Sequence, residues 1–341
     1  RQMCIRDRYM INLMTLEENK ISTDFSGYPV VFMGETGDGK TDSLNRFLRS
    51  VAPEGKVPLF VMFEDRYKTI QNIMAVRVHS IPDVLAVASQ LKNPKTRERF
   101  SCVVFDTADK FEEMASRYIA SNKETEIIED IGFARGKKYL SSVMGIVGEI
   151  RNLGLPVHFA VQSYKTTDFK TGAITYKCKL NEATKNQIFH DAFLVGMVSI
   201  DPKAKGNVNA DRLITFKKTS EYIELKDTWG LPDKMYVSEI KSNLEKLFNA
   251  KYDKTELVDV PALEEIKDDV SFDEVKSRGM ELGSILAENG YLNEAMNVLK
   301  TTIGQNEDGS AKMFDDILPT QIDLAQVVVM KLEELKTSKG I

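Results

Sequence analysis

Four short, mostly apolar runs punctuate the first half of the chain, at 28–33, 57–63, 101–105 and 157–162. Between them apolar residues return at intervals of three and four. That spacing predicts helices over 40–50, 66–75, 82–91, 107–122 and 133–153, with a short strand near 75–78. Strands that alternate with helices predict an α/β fold: a mostly parallel sheet covered by helices on both faces. Residues 164–225 read differently, as Gly/Lys/Thr loops and β-rich runs (170–176, 192–200 and 212–217) around a turn at Asp201–Asn207. These runs are expected to extend the sheet with antiparallel edge strands. Helical spacing resumes at 236–249. After an acidic linker at 251–270, helices are predicted over 272–289, 292–303 and 319–336, with Ser271 and Thr320 as N-caps and a turn at Asn306–Ser310. The last segment, 271–341, reads as a small all-α domain.

The net charge of -5 over 341 residues is a sum of unlike parts. Residues 253–341 hold 19 Asp and Glu against 9 Lys and Arg, which leaves 32 acids against 37 bases over residues 1–252. A weakly basic body is thus joined to an acidic tail. No apolar stretch reaches the roughly 18 residues that a membrane span needs, and the basic start is not followed by a signal-like apolar run. Residues 1–9 are read as a non-native leader, because Arg1–Arg8 resembles translated adaptor sequence; the native start is then expected at Met10 or Met14. Three scattered cysteines (Cys4, Cys102, Cys178) and three histidines (His79, His158, His190) suggest neither a disulfide framework nor a metal site, so a cytoplasmic setting is expected.

The strongest chemical signal is Gly34-Glu35-Thr36-Gly37-Asp38-Gly39-Lys40-Thr41, between an apolar strand and a helix that opens on Asp42. In that order glycines let backbone N–H groups close around phosphates, the helix N-terminus adds its positive end, Lys40 reaches the β- and γ-phosphates, and Thr41 holds Mg²⁺. A second carboxylate is needed at the metal. The strand 100–106 ends in Asp106, which is the candidate; the competing role is a cap for the following helix. The strand 57–63, taken to lie next to the P-loop strand, ends in Glu64 and Asp65. Either acid is a candidate to activate the attacking water, Glu64 first. Gln162 closes a later strand, at the edge where parallel sheets bind ligands, and is positioned to report a γ-phosphate. His158, within that strand, reads as a core histidine.

From about Met10 to Leu244 these motifs, in this order, resemble the phage-encoded RecA-like P-loop ATPases, a group that includes single-strand annealing recombination ATPases. The resemblance rests also on Gly132-Phe-Ala-Arg-Gly-Lys-Lys-Tyr139 and on Phe216-Lys-Lys-Thr-Ser-Glu-Tyr222 with Leu225-Lys-Asp-Thr-Trp-Gly-Leu-Pro232. It implies a RecA-like P-loop NTPase domain over 10–250, ATP bound by Gly34 to Asp42, Mg²⁺ held by Thr41 and Asp106, and catalysis by Glu64, Lys40 and Gln162. Many relatives carry Lys-x-Arg in the late motif, where this chain has Thr228 in place of the arginine. Lys226, Lys217 and Lys218 are then alternative fingers toward a neighbouring subunit.

The function this implies is a DNA-stimulated ATPase of the host cytoplasm that acts as a homo-oligomer on single-stranded DNA, in annealing or strand exchange. The basic clusters at 92–99, 135–138 and 203–205 are phosphate-contact candidates or ordinary solvated charge. A second reading is a nucleotide-dependent switch or scaffold that recruits a single-strand binding or replication protein through residues 271–341. That acidic tail also reads as a device that keeps DNA off the site, or as a solubilising appendage. A small-molecule kinase ranks last, since residues 164–211 contain no arginine for a lid.

Overall fold

The computed structural model describes residues 20–123, 125, 127–204, 210–253, 257–258, 271–306 and 308–341. The leader expected at 1–9 lies outside the described residues, as does most of the linker expected at 251–270. The chain divides into two compact units, one over 19–266 and one that includes 267–341. Among the described residues no helix is long and apolar enough to cross a membrane.

The larger unit opens with β1 (Ile21–Ser22), β2 (Val30–Gly34), α1 (Lys40–Val51), β3 (Val57–Met62) and β4 (Met74–Arg77). Next come α2 (Ile81–Leu91), α3 (Pro94–Arg97), β5 (Phe100–Asp106), α4 (Ala108–Asn122) and α5 (Phe133–Asn152). The chain continues through β6 (Val157–Thr167), β7 (Ile174–Cys178), α6 (Glu182–Asp191), β8 (Leu194–Ile200), β9 (Arg212–Thr215) and β10 (Lys226–Asp227). It closes with β11 (Met235–Tyr236), α7 (Ile240–Lys251) and β12 (Leu257–Val258), which pairs in parallel with β1.

The main sheet has the order β11-β9-β8-β2-β6-β5-β3-β4. The run from β8 to β4 is parallel throughout. β9 and β10 pair antiparallel with β8, β11 with β9, and β7 with the outer half of β6. Alternation along β2 sends Val30 and Phe32 into a core with Leu44, Phe47 and Leu48 of α1 and Ile240 and Leu244 of α7. Val31 and Met33 enter the opposite core, shared with α2, α4 and α5. Strands covered on both faces are apolar at most positions, and this is why they read as near-continuous runs.

Several expectations are corrected. The helix expected over 66–75 is a 3₁₀ turn at Asp65–Thr69 followed by β4. Asn72, with φ of 56°, breaks the helical path between them. β8 is no antiparallel edge strand: it lies parallel to β2 inside the sheet, and its apolar run is the mark of that burial. The helix α6 was not foreseen; Asn181 caps it by accepting from the Thr184 N–H at 2.9 Å. β3 is not beside the P-loop strand, because β6 and β5 stand between them.

His158 is a satisfied core residue. Its Nδ1 accepts from the Val30 N–H at 3.1 Å, so its Nε2 carries the proton and donates to the Ser26 carbonyl at 3.1 Å. Burial lowers its pKa to about 4.

The helical unit comprises α8 (Phe272–Glu288), α9 (Leu292–Thr302) and α10 (Ile322–Ser338) around a core that includes Val275, Leu282, Leu286, Leu299, Val328 and Leu332. Ser271 forms a capping box with Glu274. Thr320 does not cap α10: it lies in a 3₁₀ turn at Pro319–Gln321, and Gln321 occupies the N-cap.

Candidate functional site

Parallel strands end at a common edge, and here that edge gathers the chemistry. Gly34 ends β2 opposite Gln162 of β6. Asp106 ends β5, in register with Ala160 of β6 and Met62 of β3, and Glu64 lies two residues past Met62. Residues far apart in sequence thereby meet at the carboxyl edge of one sheet, with the N-terminus of α1 facing it.

The loop between β2 and α1 is held by its own groups. The Asp38 carboxylate accepts from the Glu35 N–H at 2.8 Å, and the Asp38 N–H donates to the Glu35 carbonyl at 3.3 Å. Lys40 Nζ donates to the carbonyls of Gly34 at 3.0 Å and Glu35 at 2.9 Å, which curls the loop around its ammonium. Gly37 and Gly39 have φ of 98° and 85°, conformations that side chains with a Cβ rarely adopt. Burial lowers the Lys40 pKa, while the carboxylates of Asp106, Asp38, Asp109 and Glu64 work the other way. Asp42 lies in the first turn of α1 and pairs with Arg46 at 2.8 Å.

Asp106 is 3% exposed. One of its oxygens, Oδ2, has no partner among the described residues. Burial lifts its pKa to about 6 against the lowering effects of a hydrogen bond from Thr41 and the charge of Lys40. It does not cap α4, whose N-cap is Thr107. A buried carboxylate with a free oxygen beside a hydroxyl is a hard-oxygen donor set of the kind that suits Mg²⁺.

The two acids after β3 have different surroundings. Asp65 is exposed and paired with Arg77 at 3.1 Å and Lys68 at 3.7 Å, and those cations hold its carboxyl below the usual range. Glu64 is half-buried and close enough to act electrostatically on Asp106 and Lys40. Glu64 also lines a cleft of about 600 Å³ with Arg77, His79 and Lys110.

Gln162 Nε2 donates to the Thr36 hydroxyl, and the Gln162 N–H donates to Asp109 at 2.9 Å. Gln162 therefore touches the phosphate loop and the first turn of α4 together. A second cleft, of about 730 Å³, runs from Gln162 along α4 past Asp109, Lys110 and Arg117 to Lys179.

Sequence reasoning missed Asp109 and Arg212. Asp109 carried a usable signal, since it lies one helical turn past a strand-ending acid. Arg212 carried none: it opens β9 and donates through Nε to the Asp38 carbonyl at 3.1 Å, across 174 positions of chain. Of the three candidate fingers, Lys226 donates to the carbonyl of His190 at 2.9 Å at the end of α6, Lys217 pairs with Asp233, and Lys218 is exposed. The basic cluster at 92–99 precedes β5 and so lies at the edge of the sheet opposite the site. Lys203 follows β8 on the site's side, whereas Lys205 and the side chains of Arg135 and Lys137 lie outside the described residues.

Residues 26–229 match the family described as AAA domain. The chain is also similar to the SPbeta prophage-derived uncharacterized protein YorG of Bacillus subtilis (strain 168), with 26% identity over 153 residues. That alignment covers 44% of this chain and 45% of the relative, so the chain spans less than half the length of the curated protein it matches.

Proposed function

The chain belongs to the AAA-domain family, and from that premise we propose that it is a Mg²⁺-dependent ATPase, phage-encoded, that acts on single-stranded DNA as a homo-oligomer. One observation carries the ATPase reading: Lys40, Thr41, Asp106, Glu64 and Gln162 converge on one sheet edge, where a buried Asp106 oxygen lacks a partner among the described residues. In this reading the backbone of Gly34–Thr41 binds the phosphates and Lys40 neutralises their charge. Thr41 and Asp106 hold Mg²⁺, which when bound polarises the phosphate oxygens. Glu64, close enough to Asp106 and Lys40 to act on both electrostatically, takes the proton of the attacking water. Gln162 senses the γ-phosphate through its contact with Thr36.

The DNA part of the proposal is supported by the motif order and by the prophage origin of the relative. Hydrolysis measured with and without single-stranded DNA, across a salt series, tests both parts. Turnover that requires Mg²⁺, rises with DNA and falls as salt rises is expected. Lys40→Ala should lower turnover by at least about a hundredfold, the scale at which a lost phosphate-charge contact is felt. Hydrolysis without any DNA effect would leave an ATPase that works elsewhere. Absence of nucleotide binding would sink the proposal.

The scaffold reading is favoured by one feature. The helical unit has its own core and exposes Met280, Leu292 and Met330. Partner capture that survives Lys40→Ala would support it.

A further inference from the structure

We infer that Arg212 is a positioning residue of the phosphate loop, a brace laid from β9 onto the Asp38–Gly39 peptide; the inference rests on reading Gly34–Thr41 as the nucleotide site. Arg212 stands opposite Ile200 at the carboxyl end of β8, the strand that flanks β2 on the side away from Asp106. Its guanidinium is anchored through Nη1 on the Ala210 carbonyl at 2.9 Å, and Nε donates to the Asp38 carbonyl at 3.1 Å.

The fit is close. A Cβ built on Gly39 would come within 2.8 Å of Arg212 Nε. Gly39 is therefore constrained twice, by its φ of 85° and by the guanidinium packed against it.

The carbonyl and N–H of a trans peptide point in opposite directions. Fixing the Asp38 carbonyl toward Arg212 aims the Gly39 N–H away from Arg212, whereas an unheld peptide beside a left-handed glycine can turn over. Asp38 already closes the other side of the loop through its carboxylate and the Glu35 N–H. The two contacts together hold the loop ready before any phosphate arrives. Such pre-organisation strengthens binding by removing an ordering cost.

The test uses the full chain and two variants, Arg212→Gln and Arg212→Lys. In nucleotide-free protein, hydrogen exchange of peptides covering 34–41 should quicken by about fivefold or more in Arg212→Gln, with β5 and β6 unchanged. Affinities for MgADP and MgATP should fall together by about tenfold, the value of one charge-assisted hydrogen bond, with their ratio preserved. Arg212→Lys, which keeps the charge but not the fork, should fall between.

Exchange at wild-type rates in both variants would overturn the brace. So would faster exchange spread through the whole sheet, which marks a general folding role. A shifted ATP-to-ADP ratio would also overturn it, since that marks a direct γ-phosphate contact. If Arg212→Gln does not fold, Arg212→Lys decides by the same exchange readout. Wild-type protein that binds neither nucleotide would defeat the nucleotide-site reading, while the exchange measurement would still judge the brace.

Discussion

Asp106 is buried with one oxygen unpartnered among the described residues, an arrangement that costs folding free energy unless a cation completes it. Replacing it by Asn keeps the shape and removes the charge. Asp106→Asn is therefore expected to raise the melting temperature of the metal-free protein by a few degrees, about 1–3 kcal/mol, while abolishing Mg²⁺-dependent hydrolysis. Thermal melts beside turnover assays check both halves; a variant that is less stable and fully active would contradict the assignment. His158 gives a pH dependence of definite sign. Its folded pKa lies near 4 against an ordinary 6.5, so the unfolded chain takes up a proton first as pH falls. Stability contributed by the neutral ring is whole above pH 6.5 and is lost between 6.5 and 4, up to roughly 3 kcal/mol at about 1.4 kcal/mol per unit. Denaturant midpoints across that window should fall, and fall less in His158→Gln.

At the scale of elements, β8 shows how burial is read and misread. The run Ala192–Ile200 was legible as a strand, and its unbroken apolar character already fitted cover on both faces, but which strands flank it was not, because pairing partners leave no local mark. Gly196 records the true setting. A Cβ there would meet the Phe216 ring at 2.5 Å and Ile214 at 2.7 Å, as β9 and the chain after it close over β8. Gly196→Ala should cost about 1–3 kcal/mol by overpacking, and should weaken nucleotide binding only as far as it unfolds the protein. Chemical denaturation and a binding titration separate those effects. The missed α6 and the false helix at 66–75 have local causes: a helix nucleated by the Asn181 cap, and a left-handed Asn72 where propensity favoured continuation.

The described residues form two units with separate cores, and each unit is expected to unfold as its own cooperative transition. Calorimetry should resolve two transitions. MgATP at about a hundred times its dissociation constant should raise the one carried by the sheet unit, in proportion to about 2.7 kcal/mol of linkage, and leave the helical one in place. A single transition, or two that move together, would contradict this. The charge division belongs to this scale as well: of the 10 excess acids of residues 253–341, five fall on residues 271–341 and five on the segment 253–270 before them.

By itself the sequence determined the strand–helix alternation, the phosphate loop, the strand-ending Asp106, the candidates Glu64 just past β3 and Gln162, which lies within β6 and does not close it as expected, and the split between body and helical tail. Each is a local pattern, set by residues within a few positions of one another. Only the tertiary structure decided that β3 lies beyond β5, that β8 flanks β2, that Asp109 holds Gln162 and that Arg212 reaches Asp38. Those facts depend on which strands pair, and pairing joins segments as distant along the chain as Val30 and Leu194, so no local pattern records it.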